Sequence, residues 1–405
     1  MTAITLPAST LRLIAAAPHR LMFFIGATNV LLAMAWWAWW LSAARWGIGV
    51  TQLPVPAGWM HAVVMQYQVL PAFIFGFLLT VFPRWMSLPA LGRRHYVPVG
   101  LGLFGGQLIT LAGLAGISDS LTLFKIGALF TSTGWLIGTF LLARLACKDR
   151  GQTWHAVSCT FALAFGLLGL MLYSLYLYQP DARMMFVAIK IASLAVLLPI
   201  YFTVCHRMIP FFASVALPGY PVVRPLWTLA ALWAGAVAHL WLELRHGYAW
   251  LWLADGPLLA TSAWLLWRWW PRGTSVPPLL GFAWLPITFA LYAAQSLWFA
   301  TTSEFILGRA PAHALFIGFF GSLLVAMVTR VTQGHSGRPL VLGKVAAFAF
   351  VLVQVVTVTR VVSEFVSDPT ALQVAAALGW LVAFAPWVLR SAWIYMTPRV
   401  DGAHG

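Results

Sequence analysis

The chain has 405 residues, 61% of them hydrophobic and only 8% charged, and its 24 Lys and Arg outnumber 9 Asp and Glu to give a net charge of +15. A soluble domain carries about 25% charged residues, so a soluble globule is excluded and a polytopic membrane protein is indicated, in line with a mean hydropathy of +0.87. The basic residues stand singly in loops rather than as a patch, so the charge sets membrane orientation and does not point to nucleic acid.

About 20 apolar residues cross a bilayer. On that length the sequence predicts twelve spans, near 22–41, 60–82, 97–116, 122–146, 155–178, 184–209, 226–244, 248–270, 279–301, 312–332, 342–366 and 371–396. The expected fold is therefore all-α, a single transmembrane domain over 1–405 with loops too short for a soluble domain. Before the first span, Arg12 and Pro18-His19-Arg20 bracket only a short apolar Leu13 to Ala17, which does not make a cleavable signal peptide. The 23 Trp suit interfacial anchoring at some positions and volume filling at others. Cys147, Cys159 and Cys205 form no CxxC and no disulfide is expected.

Orientation follows the Lys and Arg bias. Arg12, Arg20, Arg84, Arg93, Arg94, Arg144, Lys148, Arg150, Arg207, Arg224, Arg268, Arg272, Arg330, Arg338, Lys344, Arg390 and Arg399 fall with the termini on one side, and most acidic residues fall on the other. The basic side, with both termini, is expected in the cytoplasm. Arg84, Arg207 and Arg330 end the second, sixth and tenth spans at intervals of 123 residues. That period suggests three four-helix units, 1–146, 147–270 and 271–405, around a pseudo-threefold axis, with the three arginines at one level as an anion site. Positive-inside anchoring with no ligand explains the same arginines equally well.

Four histidines stand at span ends. His61 and His313 open spans two and ten on the expected periplasmic side, and His206 and His335 close spans six and ten on the cytoplasmic side. Imidazoles from facing helices are natural axial ligands for haem iron, although a histidine at a helix end is also a common cap or interfacial hydrogen bonder. His61 lies 23 residues before Arg84 and His313 only 17 before Arg330, a mismatch of about 9 Å at 1.5 Å per residue. Met65, one turn after His61, with Met60, Met184 and Met185, would suit Cu(I), while methionine in an apolar helix is ordinarily core filler. Inside the spans, Lys190 and Asp255 are expected to pair, as a proton relay or as a structural ion pair, and Asn29, Gln66 and Gln68 to hydrogen-bond between helices. No hydrolase or nucleotide-binding signature stands in a suitable context.

Three stretches carry a family resemblance: MVTRVTQGHSGRPL at 327–340, GFLLTVFPRW at 76–85 and Pro18-His19-Arg20-Leu21-Met22-Phe23-Phe24. They resemble motifs of the NnrS family, with Ser336 in place of a threonine and Arg84 in place of an asparagine. The resemblance implies a bacterial inner-membrane protein that holds haem and copper and acts in nitric oxide metabolism, with His61, His313 and His335 falling on its motifs; together with the readings above, the residues expected around a haem b cofactor are His61, His313, His335, Arg330, Arg84 and Arg207. Where the family has a second histidine and a glutamate after His61, this chain has Val63 and Val64, which puts copper in question. The reading expected is a haem protein that binds nitric oxide or handles it by redox chemistry, with an electron donor as partner. The competing one is a transporter or scaffold without redox chemistry that uses the arginines to bind an anion, with Pro71 and Gly256-Pro257 as helix breaks.

Overall fold

The computed structural model describes residues 8–50, 52–271 and 277–402, and Arg272 lies outside them. Among the described residues there is no strand; the chain runs back and forth as twelve long helices after a short one, Ala8–Ile14. Eleven are long and apolar enough to cross a membrane: α1 (Pro18–Trp46), α2 (Ala57–Trp85), α3 (Arg93–Leu114), α4 (Ser120–Lys148), α5 (Trp154–Tyr178), α6 (Ala182–Ala216), α7 (Leu226–Leu244), α9 (Pro278–Thr302), α10 (Ala310–His335), α11 (Lys344–Phe365) and α12 (Pro369–Met396). The remaining one, α8 (Trp252–Trp269), follows the expected eighth span but is less apolar, since Asp255 and Arg268 fall within its 18 residues. It packs between α7 and α9.

Arg20 donates to the Thr397 carbonyl (2.7 Å) and the Val400 amide to Ser336 (3.1 Å), so both ends of the chain meet at one end of the bundle, called here the terminal face. The side chains that close α2 and α10 lie at this face too.

Burial separates the helices into two shells. In α2, α6 and α10 the apolar windows are 89%, 78% and 72% buried, against 33–56% for the other eight. These three helices form the core, and the rest surround them with outward-facing residues such as Leu129, Phe140, Phe161 and Leu389. An exterior of that kind needs lipid rather than water around it.

Each central helix contains a π-helical segment: Val64–Val69, Ala192–Leu197 and Ala314–Gly321. In the first two the cause is visible two residues beyond, where Pro71 and Pro199 have no N–H to give the carbonyl four residues earlier. The Tyr67 carbonyl freed in this way accepts from the Trp135 indole at 2.8 Å. The third segment has no such proline, and Gly318 and Gly321 lie within it. Regular α-helix resumes at Leu70, Leu198 and Ser322.

The π segments are joined. Gln66 Nε2 donates to Ser193 Oγ (3.1 Å), linking α2 to α6, and the Tyr67 hydroxyl donates to the Ala188 carbonyl (2.6 Å). Tyr201 of α6 meets Phe320 of α10 with ring centroids 4.4 Å apart. Between the three helices lies an apolar cavity of about 60 Å³, lined among others by Phe73, Leu78, Tyr201, Cys205, Leu324 and Val328. A water there would find none of the two to four polar partners it needs.

Candidate functional site

Two histidines occupy the end of the core opposite the terminal face. His61 of α2 precedes Leu70 by nine residues, and His313 of α10 precedes Ser322 by nine. Counted from the point where α-helix resumes, the two imidazoles stand at the same offset along their helices, and His61 is an electrostatic neighbour of His313. The apparent 9 Å mismatch came from taking Arg84 and Arg330 as equivalent; Arg84 lies 14 residues beyond Leu70 and Arg330 only eight beyond Ser322.

His313 Nδ1 lies 3.0 Å from the Arg309 carbonyl, an acceptor, so Nδ1 carries the proton and Nε2 keeps its lone pair. His61 stacks on Trp37 at 4.4 Å with planes 10° apart, which fixes the ring but leaves its nitrogens without a protein partner among the described residues. Arg309 and Arg360 are charged neighbours of both histidines. Arg360 is engaged by Glu364 at 2.6 Å and by Ser363 at 2.8 Å. The result is two neighbouring imidazoles with available nitrogens beside two guanidinium groups, a donor set that suits a metal macrocycle with acidic side groups.

Met65 sits in the π segment, half-buried against the core, while the Met60 sulfur accepts from the Tyr173 hydroxyl at 3.9 Å. Val63 and Val64 are core residues, 1% exposed each. Among the described residues no three His, Cys, Asp or Glu gather as a metal site.

At the terminal face the other expected ligands are committed elsewhere. His335 donates from Nδ1 to the Val331 carbonyl (2.9 Å), so its Nε2 is the acceptor for Arg84 at 2.9 Å. The His19 ring lies 4.3 Å from it. His206 donates from Nε2 to the Pro225 carbonyl (3.2 Å) and accepts at Nδ1 from His155 (2.9 Å), so neither nitrogen is open to a metal. Arg207 lies over the Trp85 ring at 4.6 Å and Arg330 over Phe212 at 4.9 Å. The three arginines thus each engage a different partner, His335, Trp85 and Phe212.

Lys190 and Asp255 do not touch either. Between them stand two residues that sequence reasoning missed as partners, Glu243 and His239, one turn apart on α7. Lys190 Nζ is 2.7 Å from Glu243 Oε2, Glu243 Oε1 is 3.7 Å from His239 Nε2, and His239 Nδ1 is 2.7 Å from Asp255 Oδ1. The available signal was the i, i+4 spacing of a histidine and a carboxylate inside an apolar helix. For His19 and His155, which partner His335 and His206 across the bundle, sequence held no equivalent signal.

These features define a helical polytopic membrane protein with paired imidazoles at both ends of its core. The chain belongs to the NnrS family: the family model described as NnrS protein matches residues 13–399, nearly its whole length. No curated protein and no solved structure matches it.

Proposed function

We propose that this chain is a haem b protein of the inner membrane that binds nitric oxide or handles it by redox chemistry, with His61 and His313 holding the iron. The observation that carries the reading is that His61 of α2 and His313 of α10 are neighbours at one end of the core, each with a nitrogen available. Haem would supply a redox-active iron able to bind a diatomic gas or pass an electron. The protein's part is positional: the Arg309 carbonyl sets the His313 tautomer, Trp37 fixes the plane of His61, and Arg309 and Arg360 offer charge to the propionates. Below the histidines, the apolar packing of the central helices keeps water from the interior.

A protein purified from haem-replete cells should show a Soret band, and its reduced form should change spectrum on addition of nitric oxide. A colourless protein contradicts the reading. Enzymatic turnover would appear as reductant-dependent consumption of nitric oxide at an electrode. The arginine-based anion transporter has less support, because each of its three arginines is engaged by a protein partner, Arg84 by His335, Arg207 by Trp85 and Arg330 by Phe212. In this reading the terminal face, which gathers the basic residues, is cytoplasmic.

A further inference from the structure

The row from Lys190 to Asp255 lies outside the three-helix core and takes no part in holding haem. His239 and Asp255 are fully buried, Glu243 is 5% exposed, and the Lys190 side chain is 26% exposed near the end of the bundle opposite the terminal face. Two carboxylates and two bases alternate across α6, α7 and α8. The row carries one net negative charge when His239 is neutral and none when one more proton sits on His239 or Asp255. In a medium of low dielectric the neutral count is favoured, so the row is built to retain a single proton.

We propose that His239 and Asp255 form a proton-binding site filled through Glu243 and Lys190 from the face opposite the termini. A proton passes from Lys190 Nζ to the Glu243 carboxylate, and Lys190 recovers one from water. The Glu243 carboxyl then rotates to close the 3.7 Å gap and delivers its proton to His239 Nε2. As Nε2 gains it, Nδ1 releases its own across 2.7 Å to Asp255 Oδ1, which leaves a neutral imidazole of the opposite tautomer. One proton enters at Lys190 and one rests on Asp255; no other bond changes. The remaining groups facing the row are uncharged phenols: Tyr292 of α9, edge-on to His239 at 4.8 Å, and Tyr248 in the turn between α7 and α8.

A static brace between α6, α7 and α8 would show the same distances but would not exchange its proton, and that difference is measurable. Infrared spectra of the full protein in nanodiscs, recorded with and without haem, should show carboxyl and imidazole bands that change together on titration to alkaline pH and shift within seconds of transfer to deuterium oxide. Asp255→Asn and His239→Gln should each abolish the paired change, while Glu243→Gln should keep its amplitude and slow the exchange by roughly tenfold or more. Bands that persist in both replacement variants, or exchange as fast in Glu243→Gln as in wild type, overturn the proposal. Should the variants fail to fold, wild type alone decides: imidazole and carboxyl bands unmoved by pH and by deuterium oxide identify a brace. Because the bands are read without haem as well, failure here is distinct from failure of the haem assignment.

Discussion

At the scale of single residues, a histidine's second hydrogen bond decides what its first nitrogen can do. His313 spends Nδ1 on its own helix and keeps Nε2, whereas His206 spends both nitrogens on protein. None of this is legible in the sequence, where four histidines at span ends look alike. Tyr67 gives a stability test: Tyr67→Phe removes the 2.6 Å bond to the Ala188 carbonyl, which keeps its helical bond from the Ala192 amide, so it should cost about 1 kcal/mol, read as a lower Tm in detergent. An unchanged Tm would mean that α2 and α6 are not joined there. Lys190 and Asp255 were legible as costly intramembrane charges, but their connection through Glu243 and His239 depends on helix rotation, which composition does not encode.

At the scale of elements, the positions of all twelve long helices were legible, eleven of them long and apolar enough to cross a membrane and with ends up to seven residues from those expected, because an apolar run near 20 residues has few other uses. The register between them was not. Arg84 lies 14 residues beyond Leu70 and Arg330 eight beyond Ser322, so the two arginines do not end equivalent stretches of helix and are a poor reference for the relative depths of His61 and His313. Close helix packing gives a test at this scale. A Cβ on Gly102 would come within 2.6 Å of the Gly134 Cα, and one on Gly134 within 3.0 Å of backbone atoms of α3. Backbone cannot swing aside as a side chain can, so Gly102→Val should separate α3 from α4 and cost about 3 kcal/mol, the upper part of the overpacking range. A variant as stable as wild type would contradict this contact.

At the scale of the whole molecule, three inner helices carry His61, His206, His313 and His335, while nine outer ones present apolar surface and supply partners such as His19, His155 and His239, with Trp135, Trp269 and Trp387 buried and Trp46, Trp154, Trp250 and Trp267 exposed. The division was only half legible: composition shows a membrane protein, but all twelve spans are too apolar for hydropathy to tell a central helix from a lipid-facing one. Orientation can be read without mutation. Cys147 is exposed near the end of α4, whereas Cys159 and Cys205 are buried. A membrane-impermeant maleimide should label the protein only after the inner membrane is broken, and labelling in intact spheroplasts would place the terminal face outside.

The central claim is that His61 and His313 hold one haem between them. The most direct measurement is the Soret absorbance per mole of purified protein for wild type, His61→Ala, His313→Ala and His206→Ala, each checked for folding by size-exclusion chromatography. The predicted result is a band in wild type and His206→Ala that is lost or shifted in both other variants. A band unchanged in His61→Ala and His313→Ala would contradict the account.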